Sequence, residues 1–107
     1  MDLSKKKCVP CEGGIPVLNR DEIAEYQKHI QPDWSVAGDK KLVREYSFIA
    51  YSHTIDFVNR VARLAEEEGH HPVLHVYYGK VTVELWTHAI GGLSENDFIL
   101  ASKIEKL

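Results

Sequence analysis

Three of the six histidines stand where proton chemistry can be organised. His70 and His71 are adjacent and followed by Pro72, and His88 ends an apolar run through Trp86 and Thr87. An ordinary imidazole gives and takes protons near neutral pH, which is why it dominates general acid–base sites. Two neighbouring histidines on a turn point in different directions, so one can face a ligand while the other packs or orients it. A third histidine at a nearby strand end lets one group donate while another accepts. Asp97, at the start of the last helical segment, can orient one imidazole by hydrogen bonding.

Two other readings use the same residues. A His-His-Pro turn can be purely structural, and His70, His71 and His88 could form a three-nitrogen zinc set. Neighbouring turn residues rarely converge on one ion, however, and H-E-x-x-H is absent. The spacing therefore favours proton transfer over a metal. His29 and His53 are expected at the surface, and His75 on a sheet face near the turn, where it could still line a pocket. The sequence has no phosphate-cradling glycine loop and no G-x-S-x-G, so nucleotide and esterase chemistry have no support.

The elements that must carry these residues follow from periodicity. Residues 1–19, broken by Pro10, Gly13, Gly14 and Pro16, read as an extended arm ahead of a domain over 20–107. Asn19 or Asp21 caps a helix running to about Ile30, where Pro32 stops it. Trp34 and Val36 suggest a short strand, with a turn at Ala37–Lys40. The next strand runs to Ile49, with Leu42, Tyr46 and Phe48 on one face. Ile55, Val58, Val61, Ala62 and Ala65 stripe a helix from Ser52 or Thr54 to Glu68, with Gly69 as its C-cap. Residues 73–78 and 81–87 form a hairpin through Gly79, a position expected to take positive φ. Ser94 caps a last helix reaching Leu107, with Asp97 placed to complete a capping box. Order α-β-β-α-β-β-α implies an α+β fold, one antiparallel four-stranded sheet covered on one face by helices. Arg44, Thr82, Glu84 and His88 are expected on the other face.

Composition sets outer limits. The chain of 107 residues, with 44% hydrophobic and 27% charged residues, fits one small domain. So small a core makes burial through self-association unsurprising. A net charge of −3 argues against nucleic acid as the main partner. No apolar stretch is long enough to cross a membrane and none follows the N-terminal lysines as a signal would, so a cytoplasmic location is expected. Cys8 and Cys11 form a lone C-x-x-C among loop residues. It reads as an inert pair, with weak metal or redox chemistry and structural pairing as alternatives.

Taken together, Ala65-Glu66, His70-His71-Pro72, Val76-Tyr77-Tyr78-Gly79-Lys80-Val81, Thr87-His88 and Gly92-Leu93-Ser94-Glu95-Asn96-Asp97 resemble the pterin-4a-carbinolamine dehydratase family. The likeness extends over about residues 20–107. It implies an enzyme that removes water from a 4a-hydroxytetrahydropterin to give the quinonoid dihydropterin, without metal or separate cofactor. It places His70, His71 and His88 around the pterin, with Asp97 at the family's active-site aspartate. On this resemblance His71 is the leading base and His88 the acid, an assignment that can be exchanged, while His70 positions the substrate. Backbone from Pro72 through Val73 and Leu74 to His75 would meet the pterin edge, and Trp86 would flank the pocket. Family members form dimers or tetramers by extending the sheet and packing helices. Val73-Leu74-His75 departs from the pattern common after the proline, an acidic residue and then an aromatic or hydrophobic one. Trp86 and Ile90 flank His88 with more bulk than the family resemblance implies, which points to a different pocket mouth or pterin preference. The competing expectation is a non-enzymatic module: a pterin-binding protein, a transcriptional coactivator-like partner, or an accessory in molybdenum-cofactor biology.

Overall fold

Asn19 starts the first helix. Its side chain accepts from the Glu22 N–H while Glu22 reaches back to the Asn19 N–H, a reciprocal capping box. The computed structural model describes residues 2–10 and 15–107. In it the helices are α1 (Arg20–Gln27), α2 (Tyr51–Glu68) and α3 (Glu95–Ile104), and the strands are β1 (Ser35–Ala37), β2 (Lys41–Ser47), β3 (Val73–Val76) and β4 (Lys80–Leu85). The four strands form one antiparallel sheet in the order β1-β2-β4-β3, so β4 is central and β3 lies at an edge. The expected α+β order α-β-β-α-β-β-α is the observed one.

Strand alternation decides which side chains meet the helices. In β4, Val81, Val83 and Leu85 are fully buried, and Leu42 joins them from β2. They pack with Val61 of α2 and with Phe98, Ile99, Leu100 and Ile104 of α3. The opposite face carries Lys41, Val43 and Glu45 of β2, Thr82 and Glu84 of β4, and Val73 and His75 of β3, following the pairings Val43↔Glu84, Glu45↔Thr82, Val73↔Glu84 and His75↔Thr82. Arg44 does not belong to that face, contrary to the sequence reading. It pairs with Val83 on the core side, and its guanidinium lies over the Tyr46 and Trp34 rings at 4.5 and 5.7 Å. The guanidinium thus stacks on the aromatics while its Nη1 donates to the Gln31 side chain at 2.7 Å.

Other boundaries move for identifiable reasons. α1 ends at Gln27, before buried Ile30, and α2 begins at Tyr51 after Ala50 rather than at Ser52 or Thr54. Thr54 is buried inside the helix, its hydroxyl donating to the Tyr78 carbonyl at 2.8 Å. Ala62 lies exposed, beside the buried stripe and not within it. Gly79 lacks the positive φ expected of it. Glycine is required there for space: a Cβ would stand 2.8 Å from the Phe48 carbonyl oxygen. That close approach is where the Phe48 N–H bonds the Gly79 carbonyl, at 2.8 Å.

α3 is buried on nearly every side, from Asn96 through Ser102. The N-terminal segment supplies the missing cover. A 3₁₀ turn at Leu3–Lys5 packs against α3 with Leu3 buried, and the Val9 N–H and carbonyl bond the Asn96 side chain at 3.0 and 2.8 Å. Glu68 at the end of α2 bonds Lys103 of α3 at 2.8 Å and accepts from the Cys8 N–H at 3.0 Å. Burial first, then the nearby Glu68 carboxylate, pushes the Cys8 thiol up to about 12, which makes it a poor nucleophile. Cys11 lies outside the described residues. Among those residues no helix is long and apolar enough to cross a membrane.

Candidate active site

Gly69 sends the two histidines in opposite directions. It ends α2 in the left-handed conformation, φ 66°, and its N–H together with that of His70 closes on the carbonyls of Glu66 and Ala65. The reversed chain turns His70 inward, where it is 6% exposed, and leaves His71 at the surface. Pro72, which cannot continue a helix, leads into β3.

His70 meets Asp97 across the fold, with Nε2 2.6 Å from Oδ1. Asp97 is fully buried, and its other oxygen accepts from the Thr87 hydroxyl at 2.9 Å and the Ser94 N–H at 3.0 Å. Because a carboxylate only accepts, the His70 Nε2 carries the hydrogen in this contact, which fixes the imidazole tautomer. The Thr87 hydrogen is likewise committed to Asp97, so the Ser94 hydroxyl donates to Thr87 across their 2.8 Å contact. Sequence-distant residues of α2's exit, β4's exit and α3's first turn are thereby joined in one buried network.

His71 has a different partner. Its Nε2 lies 2.6 Å from the Glu66 carboxylate, both side chains being exposed. His88 stands on a one-turn 3₁₀ helix, His88–Ile90, inside a loop clasped at its base by Thr87 and Gly92. The Thr87 N–H bonds the Gly92 carbonyl at 2.8 Å, and Gly91 supplies the left-handed turn. Among the described residues no hydrogen bond or ion pair holds the His88 ring; it stacks on Trp86 with centroids 4.1 Å apart.

The three imidazoles share one open cleft of about 430 Å³, lined by Gly69, His70, His71, Thr87, His88 and Ala89. Asp97 lies behind His70, and Trp86 reaches the cleft through His88. Pro72, Val73, Leu74 and His75 are not among the lining residues. Val73 and His75 sit on the open sheet face, where His75 pairs with Glu84 at 3.3 Å, and Leu74 packs on the core. His29 and His53 are exposed. Among the described residues no group of three or more His, Cys, Asp or Glu is arranged to hold a metal ion. Sequence reading passed over Glu66 and Thr87 as site residues. Their signal was adjacency: an acid one turn before the histidine pair, and a hydroxyl immediately before His88.

Fold and cleft define a small four-stranded α+β protein with an imidazole-lined site backed by a buried carboxylate. Residues 16–107 match the family model described as Pterin 4 alpha carbinolamine dehydratase. A Rickettsia canadensis protein whose name is that of a candidate pterin-4-alpha-carbinolamine dehydratase is 48% identical over 103 residues, covering 96% of this chain and 94% of the relative. A like-named protein of Chlorobaculum tepidum is 48% identical over 108 residues, covering 98% and 96%. Among solved structures, a transcriptional coactivator/pterin dehydratase from Brucella melitensis superposes with TM-score 0.78 at 28% identity, covering 85% of this chain and 97% of that one. The chain belongs to the pterin-4α-carbinolamine dehydratase family.

Proposed function

We propose that this protein is a hydro-lyase that dehydrates a 4a-hydroxytetrahydropterin to the quinonoid dihydropterin, with histidines as general acid and base. The observation that carries the reading is the convergence of His70, His71 and His88 on one cleft, with His70 anchored to buried Asp97 at 2.6 Å. The reaction breaks the C4a–oxygen bond and removes the N5 proton, so one group must protonate the departing hydroxyl while another accepts from N5. His71 is assigned as the base, because the Glu66 carboxylate at its Nε2 fixes the tautomer and would stabilise the imidazolium that forms. His88 is assigned as the acid that protonates the leaving oxygen. His70, held by Asp97, positions the ring, which turns a diffusional encounter into an oriented one. No metal or separate cofactor enters this scheme.

A soluble cytoplasmic role in pterin recycling goes with this reading, as does self-association into a dimer or tetramer. The edge strand β3 and the neighbouring exposed Val76, Tyr77 and Tyr78 support self-association, since an unpaired edge beside apolar surface invites pairing. The test is to mix purified protein with freshly generated 4a-hydroxytetrahydropterin and follow ultraviolet absorbance. Dehydration well above the spontaneous rate is expected. No acceleration would overturn the reading in favour of a binding or protein-interaction role.

A further inference from the structure

We propose that Trp86, backed by Lys41, is the positioning residue for His88, an inference that rests on His88 taking part in the reaction. The His88 imidazole is exposed and carried on a one-turn 3₁₀ helix. Among the described residues it has no hydrogen bond or ion pair, unlike His70 with Asp97 and His71 with Glu66. An exposed histidine of this kind ordinarily samples several χ1 wells. Here the ring lies nearly parallel to Trp86, at 19° and 4.1 Å between centroids.

Trp86 is itself held from the side. The register Leu42↔Leu85 sends those two side chains into the core, and one step further along it brings Lys41 opposite Trp86 on the open face. The Lys41 ammonium stands 4.5 Å from the Trp86 ring centroid. The indole is thus in contact with His88 through its ring and with Lys41 through its π-face, and both contacts limit its movement. Lys41 also reaches Glu84 at 3.5 Å, and the other Glu84 oxygen meets His75 at 3.3 Å. A row of side chains from β3, β4 and β2 thus ends on the indole against which His88 rests. Trp86 acts as a support for an acid, and its effect should appear in turnover more than in substrate binding.

The test compares His88→Ala, Trp86→Ala, Trp86→Phe and Lys41→Met in the dehydration assay, with the His88 ring-proton shifts read by NMR. Trp86→Ala should lower kcat about tenfold with KM within about twofold, because the imidazole is released rather than removed. Trp86→Phe keeps a stacking surface and should recover most of that loss, and Lys41→Met should cost about threefold. Ring-current displacement of the His88 protons should vanish in Trp86→Ala and persist in Trp86→Phe. On a His88→Ala background, Trp86→Ala should cost nothing further, whereas an additive loss would overturn the positioning role. Wild-type kcat in Trp86→Ala, in an enzyme that His88→Ala cripples, would overturn it alone. Full activity in His88→Ala would overturn the reading of His88 itself, and the positioning role with it.

Discussion

Replacing Asp97 with asparagine removes one charge and turns one acceptor into a donor at a site where three donors converge. His70 Nε2, the Thr87 hydroxyl and the Ser94 N–H all point at its carboxylate, at 2.6, 2.9 and 3.0 Å. The amide oxygen can keep Thr87 and Ser94, which leaves the NH₂ group facing the His70 Nε2–H. Either that contact stays unmet, or the imidazole takes its other tautomer and accepts from the amide. Losing a charge-assisted bond costs about 1.5–3 kcal/mol, and a buried unmet donor about 1–3 kcal/mol more, so a net loss of about 3 kcal/mol is expected. At about 4 °C per kcal/mol for a domain of this size, calorimetry should find Tm lowered by about 12 °C. A His70 in the wrong tautomer should also reduce kcat/KM by about 10²-fold, within the range that oriented acid–base groups supply. ¹⁵N imidazole shifts read the tautomer directly. A variant with wild-type Tm and an unchanged His70 tautomer would refute the claim that this network anchors the site.

His71→Ala and His88→Ala, both altering exposed rings, should each lower kcat by about 10²- to 10³-fold while moving Tm by less than about 3 °C, as kinetics and calorimetry on the same samples will show. Gly79→Ala should destabilise by about 1–3 kcal/mol in urea titration, since its Cβ would press on the carbonyl oxygen of Phe48, the residue whose N–H donates to the Gly79 carbonyl. Glu68 supplies a pH-dependent term. Burial alone would raise its pKa, but Lys103 and the Cys8 N–H outweigh that and hold it below the usual 4.5. Its contribution is therefore complete above pH 4.5 and is lost as pH falls through the lower folded value. Glu68→Gln should cost about 1–3 kcal/mol at pH 7 and almost nothing once the carboxylate is protonated, which denaturant titrations across pH would reveal.

Much of this molecule can be read from local pattern. Gly69 after a striped run, and Pro72 three residues later, located the turn that carries His70 and His71. Asn19 and Ser94 marked true helix starts. Which histidine Asp97 holds was not legible, because it depends on α3 crossing the end of α2. Arg44 was misplaced because charge suggested the wet face, while its guanidinium in fact lies over the Trp34 and Tyr46 rings. The burial of α3 on nearly every side has a long-range cause: Leu3 packs against it and the Val9 N–H bonds its Asn96 side chain. At Gly79 the residue type was informative and the expected reason was not; close backbone approach, not φ, excludes a side chain there. His88's partner stands two residues before it in sequence, but only the antiparallel register reveals Lys41 beside Trp86.

The claim that matters most is that the imidazoles of this cleft perform the dehydration. Its most direct test is the rate of 4a-hydroxytetrahydropterin loss with wild-type protein and with the double variant His71→Ala/His88→Ala at equal concentration. Strong acceleration by the wild type and a return to the spontaneous rate in a folded double variant are expected. A double variant as fast as the wild type would contradict it.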